Sequence, residues 1–233
     1  MINSVVMQRL RPLVVTIEDS IGKTIGEIKD ELNIARERMV KGASGLIVEN
    51  LLGIVNNNVD EPDIPEICCE VKVLPIQINR DGTVKAKEPT AIQMINYCEV
   101  ANESWETAKI RRKIKLTFWV VYLAKRGSEK LCQNDYVIVD YLIEQPCDIT
   151  TGIFRKDWES IRDYIISGNA DRLSCSMGTY IEPKTKGKNR QDVTSAPDGQ
   201  GGLTTARRRA FYYKKNYTNT EIIPQINISA VLQ

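Results

Sequence analysis

The chain has 233 residues, 42% of them hydrophobic and 27% charged, with a formal net charge of +2. Those figures describe one ordinary globular domain over residues 1–233, and so small a net charge points to no class of partner. Histidine is absent, which excludes Ser-His-Asp and Cys-His nucleophiles, His-ligated zinc and imidazole acid–base chemistry.

In chain order, Ile17, Ile21, Ile25, Ile28 and Leu32 recur at helical spacing and predict one amphipathic helix, and Thr24-Ile-Gly-Glu27 can close a capping box within it. Lys41 to Leu52 reads as a second helix, with Gly42 and Gly45 allowing close approach and Val48, Leu51 and Leu52 apolar. Asn56 to Asp63 is a turn and loop. Ile67 to Ile78 is rich in β-branched residues and ends at Asn79-Arg-Asp-Gly82, a strand with a possible hairpin. Trp105 to Lys115 reads as a helix with a basic face. Thr117 to Leu123 and Tyr136 to Ile143 are apolar strands, and Asp157 to Ser167 is a helix with Trp158, Ile161, Tyr164 and Ile165 inward. The expected class is α/β, a central mixed β-sheet flanked by helices, without repeats or a domain-separating linker.

No apolar run of ~18 residues occurs and Met1-Ile2-Asn3-Ser4 lacks the basic start of a secretion signal, so no membrane partner is expected. The six cysteines, Cys68, Cys69, Cys98, Cys132, Cys147 and Cys175, form no CxxC pair and read as free thiols, which fits a cytoplasmic protein.

Charge is unevenly spread. Between Lys184 and Lys215 nine basic residues face only Asp192 and Asp198, a local net charge of +7 that leaves −5 for the rest. Phe211, Tyr212, Tyr213, Asn216 and Tyr217 are interleaved with or follow the last basic residues. Such a segment can grip phosphates while reaching into a groove. It can equally be a solvated loop, as Asp198-Gly-Gln-Gly-Gly202 suggests.

Glu-x-Lys occurs at Glu27/Lys29, Glu70/Lys72 and Glu182/Lys184. On a helix, i and i+2 lie ~200° apart. On a strand they share a face at a spacing of ~7 Å. Only Glu70-Val71-Lys72 lies in a convincing strand. Asp63 stands at the mouth of that strand, and Glu49 on the preceding helix. Three carboxylates with one lysine suit an oxygen-ligated Mg²⁺ ion and need no histidine. With phosphodiesters such a metal polarises the phosphate and acidifies the attacking water, while an ammonium orients or deprotonates that water. Solvated acids and an exposed Glu70/Lys72 pair are the alternative reading of the same residues.

Five blocks then resemble the MutH-type endonucleases, a family with a mismatch-repair nickase branch and a restriction branch of the Sau type, acting at GATC in duplex DNA. They are Lys41-Gly-Ala-Ser-Gly-Leu-Ile-Val-Glu49, Pro62-Asp63, Glu70-Val-Lys72, Ser104-Trp-Glu-Thr107 leading to Arg112-Lys113, and a late set comprising Asp157-Trp-Glu, Tyr180-Ile-Glu-Pro-Lys-Thr-Lys-Gly187 and Arg209-Ala-Phe-Tyr-Tyr-Lys-Lys-Asn216. The resemblance implies a restriction-endonuclease-like core with a D…ExK site, a catalytic half at about residues 17–125 and DNA-recognition elements at about 155–220. Asp63, Glu70 and Glu49 would be Mg²⁺ residues, Lys72 the lysine beside the attacking water, and Lys113 a residue at the site's edge or on a phosphate. Lys184, Lys186, Arg207, Arg208, Arg209, Tyr212 and Lys214 would contact DNA. Two departures stand out. Glu182-Pro183-Lys184 replaces the nickase branch's Arg-Pro-Lys, and Cys68 replaces a glycine two residues before the strand glutamate.

The expected function is therefore Mg²⁺-dependent, sequence-specific cleavage of duplex DNA by a type II restriction enzyme. Cutting both strands would need a homodimer or a second fused domain. The alternatives are a strand-nicking repair endonuclease and a catalytically silent DNA-binding or allosteric domain of the same fold.

Overall fold

A computed structural model of the chain describes residues 2–34, 42–54 and 61–229, so Lys41 of the expected second helix and residues 56–60 of the expected loop lie outside the described residues. The helices are α1 (Ser4–Glu18), α2 (Ile25–Glu31), α3 (Ala43–Leu51), α4 (Tyr97–Asn102), α5 (Lys109–Lys113) and α6 (Asp148–Ile166). The strands are β1 (Cys69–Ile78), β2 (Val84–Ala86), β3 (Thr90–Met94), β4 (Leu116–Arg126), β5 (Glu129–Lys130), β6 (Val137–Glu144), β7 (Ile181–Thr185), β8 (Val193–Pro197), β9 (Leu203–Arg207) and β10 (Arg209–Tyr213). Among the described residues no helix is long and apolar enough to cross a membrane. The chain divides into two compact units, one formed by Met1–Glu88, Lys115–Gln145 and Asn219–Gln233, the other by Pro89–Ile114 and Pro146–Thr218.

The first unit is built on a mixed sheet. β1 runs parallel to β4, β2 pairs antiparallel with β1 as the expected hairpin, and β6 and the short β5 pair antiparallel with β4. Strand alternation sends Cys69, Val71, Phe118, Val120 and Tyr122 to one face, where they pack with Leu10, Ile17, Ile25, Ile28, Ile47 and Val48. Glu70 and Lys72 therefore leave from the opposite face.

The single helix expected over Ile17–Leu32 is two helices. Residues 20–24 leave the helical path because their backbone pairs with the start of β6: Gly22 N–H donates to Ile138 O, Ile138 N–H to Lys23 O and Ile25 N–H to Tyr136 O. The expected capping box forms at α2, where Thr24 Oγ1 accepts from Glu27 N–H and Glu27 Oε2 accepts from Thr24 N–H. In α3, a Cβ at Gly45 would meet Val73 at 3.6 Å, an ordinary van der Waals contact, so the expected close approach does not require glycine there. Gly42 is different. A Cβ there would meet nothing within 4 Å, and the residue is needed for its φ of +89° at the helix N-cap.

The second unit holds a three-stranded antiparallel sheet, β3-β10-β7, and the β8–β9 hairpin. The basic segment is thus largely strand rather than loop. Asp157–Ser167 is the second half of the longer α6, which buries Phe154, Trp158, Ile161 and Ile165 but leaves Tyr164 46% exposed, against the expectation for that tyrosine. Of Trp105–Lys115 only α5 is helical, and Trp105 instead packs its ring on Trp158 at 5.9 Å. Asp157 is buried, and its carboxylate accepts three backbone N–H groups, from Thr179, Tyr180 and Ile181, at 2.6–2.8 Å. Those three bonds anchor the chain as it enters β7.

Removing that acceptor leaves buried donors unsatisfied, so Asp157→Ala lowers unfolding stability by about 3 kcal/mol, read from urea denaturation.

Candidate active site

Glu27 and Lys29 lie on a helix, but Glu182 and Lys184 share a strand face on β7, against the expectation that only Glu70 and Lys72 do so; what sets Glu70-Val71-Lys72 apart is that its two charges meet. Glu70 and Lys72 share the face away from the apolar core, in register with Thr117 and Trp119 of β4. Lys72 Nζ donates to Glu70 Oε1 at 2.6 Å, with side-chain exposures of 17% and 4%. The pair is covered, and the exposed-pair alternative does not describe it.

Asp63 reaches the same strand through a tight reversal. Ile64 and Cys69 exchange backbone hydrogen bonds in both directions, at 2.9 and 3.1 Å, around a single 3₁₀ turn at Pro65–Ile67. The turn closes through Cys68 in the left-handed region, φ +50° and ψ +43°. This is the position where the resemblance implies glycine, and the backbone conformation supplies the reason, since a Cβ there costs about 1 kcal/mol. Folding back in this way lets Asp63 Oδ2 accept Val71 N–H at 2.8 Å, which holds the carboxylate beside Glu70.

Glu49 lies on the last turn of α3, whose Ser44 hydroxyl is hydrogen-bonded to Tyr122 of β4 at 3.0 Å. Burial pushes the Glu49 carboxyl above its ordinary range. The negative charges of Asp63 and Glu70 add to that, and Lys72 pulls the other way. Burial also pushes the Cys69 thiol up to about 12, again with Asp63 and Glu70 contributing, so it stays a neutral buried thiol. Both effects report one electrostatic neighbourhood of three acids and one lysine.

These donors fit a hard divalent cation in kind, because all are carboxylate oxygens, and in their mutual repulsion. They are not drawn to coordinating distance: among the described residues no three His, Cys, Asp or Glu side chains stand close enough to hold an ion. Instead the Lys72 ammonium holds Glu70, and a backbone N–H holds Asp63. Lys113 is buried at the end of α5 in the second unit.

The basic segment is less available than its +7 suggests. Arg209 is 3% exposed and its guanidinium donates to Ala170 O and Asp171 O, which makes it a brace for the chain before β7 and departs from its expected DNA contact. Arg207 pairs with Asp171 at 3.3 Å and Arg208 with Asp192 at 2.7 Å. Lys214 Nζ donates to Met177 O and Gly178 O. The remaining cluster is Lys184 and Lys186, whose ammonium groups lie 5.5 and 5.9 Å from the Tyr212 ring centroid. Counting charge along the chain misses these pairings, because Asp171 lies outside the basic run and carbonyl partners carry no sequence signal.

A family model described as the DNA mismatch repair enzyme MutH matches residues 52–157. The type II restriction enzyme Sau3AI of Staphylococcus aureus is 30% identical over 203 residues, which is 86% of this chain and 40% of that protein. The DNA mismatch repair proteins MutH of Actinobacillus pleuropneumoniae serotype 5b (strain L20) and Haemophilus influenzae (strain PittGG) are each 26% identical, over 84% and 91% of this chain and 85% and 93% of their own lengths. Over most of its length the chain is similar to the MutH/Sau-type endonucleases. That similarity implies the restriction-endonuclease-like α/β fold, and the first unit has the mixed sheet and helices such a fold requires. The chain spans less than half of its Sau3AI relative and most of its MutH relatives.

Two consequences of this arrangement are measurable in the protein itself. Cys68→Gly relieves the left-handed turn and raises stability by about 1 kcal/mol in thermal or urea unfolding. For Glu49 the raised folded pKa means that the unfolded chain ionises first as pH rises, so the native state loses stability through that window. Without divalent cation, Glu49→Gln unfolds at a higher temperature than the natural chain at pH 7, and the difference vanishes below about pH 4.

Proposed function

We propose that this chain is a Mg²⁺-dependent, sequence-specific endonuclease that hydrolyses phosphodiester bonds in duplex DNA, a type II restriction enzyme with GATC as its target. The observation that carries the proposal is the covered Lys72–Glu70 pair with Asp63 folded against the same strand, in a chain similar to Sau3AI and MutH.

In this reading Asp63, Glu70 and Glu49 hold the cation. When bound, Mg²⁺ supplies positive charge to the scissile phosphate and makes the attacking water more acidic. Lys72, held by Glu70 at 2.6 Å, is fixed in orientation on the strand face. Its ammonium orients the attacking water and offsets charge on the phosphorane. Glu49, whose proton is held more tightly than an ordinary carboxyl's, joins the cation set only when deprotonated. Lys113 binds a phosphate of the DNA. Lys184, Lys186 and Tyr212 face the DNA, and Arg207, Arg208 and Lys214 reach phosphates by exchanging their present partners. Six free cysteines accord with a cytoplasmic setting.

A second reading, strand nicking, is supported by the similarity to MutH proteins, which extends over 84% and 91% of this chain. Double-strand cutting needs two active sites on the DNA, from a second copy or a further domain.

Supercoiled plasmid incubated with the chain and Mg²⁺ gives linear DNA if it is a restriction enzyme and lasting open circles if it nicks. Lys72→Ala lowers the rate by about 10²–10⁴-fold, while binding to the same DNA in Ca²⁺ stays close to that of the natural chain. Full activity in the variant overturns the site.

A further inference from the structure

Glu182 is the residue that departs from the nickase pattern, and its surroundings are unusual. It is 6% exposed, yet among the described residues its carboxylate has no hydrogen bond or ion pair. Alternation along β7 puts Glu182 and Lys184 on one face, across from Tyr212 and Ala210 of β10. The other face carries Ile181, Phe211 and Tyr213, which are fully or almost fully buried, with Tyr213 packed on Phe154. Lys184 and Lys186 lie over the Tyr212 ring instead of closing on the acid, and Lys214 donates to two carbonyls. Burial pushes the Glu182 carboxyl above its ordinary range even though Lys184 and Lys214 pull it down.

A mostly buried carboxylate with no protein donor, its oxygens only just reaching solvent, is a costly arrangement. It is accounted for when the donor arrives with the ligand. On the endonuclease reading that ligand is DNA, and its phosphates repel an acid. The donors that duplex DNA does offer in the major groove are the exocyclic amino groups, N6 of adenine and N4 of cytosine, and glutamate is suited to accept from them. We propose that Glu182 is a specificity-determining residue that accepts a hydrogen bond from the exocyclic amino group of one base of the target, beside Tyr212. This inference rests on the nuclease proposal and adds to it a contact that the Arg-Pro-Lys branch cannot make, since arginine only donates.

The test is selection from a duplex library randomised at its centre, in Ca²⁺, with the natural chain, Glu182→Ala and Glu182→Gln. Glu182→Ala loses preference at one position of the selected sequence by about tenfold, while binding to non-specific duplex tightens because a negative charge is gone. Glu182→Gln, which keeps an acceptor oxygen, retains part of that preference. Purine in place of adenine, or pyrimidin-2-one in place of cytosine, removes the amino group at that position and identifies the base. That substitution weakens binding of the natural chain about tenfold and leaves Glu182→Ala unaffected. If Glu182→Ala does not fold, the same comparison is made with Glu182→Gln, for which the loss is smaller than for the natural chain. An unchanged selected sequence, or equal losses in both proteins, overturns the role of Glu182. If the natural chain selects a sequence and cleaves it with Mg²⁺, only the Glu182 inference falls. If it selects nothing and cleaves nothing, the nuclease reading falls first.

Discussion

The two hydrogen bonds between Ile64 and Cys69 set the chemistry of the first unit. Without that reversal Asp63 is an acid on a loop. With it, the carboxylate is held on Val71 N–H, one residue from each member of the Glu70/Lys72 pair. The cost is local and visible: Cys68 sits in a backbone region that disfavours a side chain. Backbone strain at one residue is thereby exchanged for the position of a charged group at another.

The same unit accepts a second cost, in electrostatics. Glu49 is desolvated near two other acids, and Lys72 offsets only part of that. A protein selected for stability alone would replace such an acid with an amide or an apolar residue. Keeping it makes sense where a cation or a charged substrate is to be met. On the proposed nuclease reading, acids without a cation repel the DNA phosphates, so a site of this composition would tie DNA engagement to ion occupancy. That coupling follows from charge alone and holds whichever strand products are formed.

How much of this was legible in the sequence depends on the range of the interaction. Period-two alternation puts Glu70 and Lys72 on one strand face, and the structure agrees because i,i+2 geometry is intrinsic to a strand. The capping box at Thr24/Glu27 is equally local and was equally readable. The break between α1 and α2 was not, because it is made by pairing with β6, more than a hundred residues away. The Ile17–Leu32 stripe is real, but it is shared by two helices facing one core. Charge counting failed for the same reason in the second unit: the partners of Arg207 and Arg209 are Asp171 and two carbonyls, brought near only by the fold.

The second unit then shows how a basic run is narrowed to a few groups. β-Pairing sends alternate residues of β7 and β10 to opposite faces, so the inward set becomes core and the outward set becomes a partly covered face, with Lys184 and Tyr212 half-buried and Glu182 and Ala210 buried. Arg209, though charged, falls into the inward set and is satisfied by carbonyls. The outward set keeps Lys184 and Tyr212, with Lys186 beyond the strand end, and adds one acid that none of them satisfies. A face made only of cations would hold any duplex by its phosphates. An acid among them weakens that general grip and strengthens whichever contact offers it a proton, and this difference in response is what sequence discrimination requires.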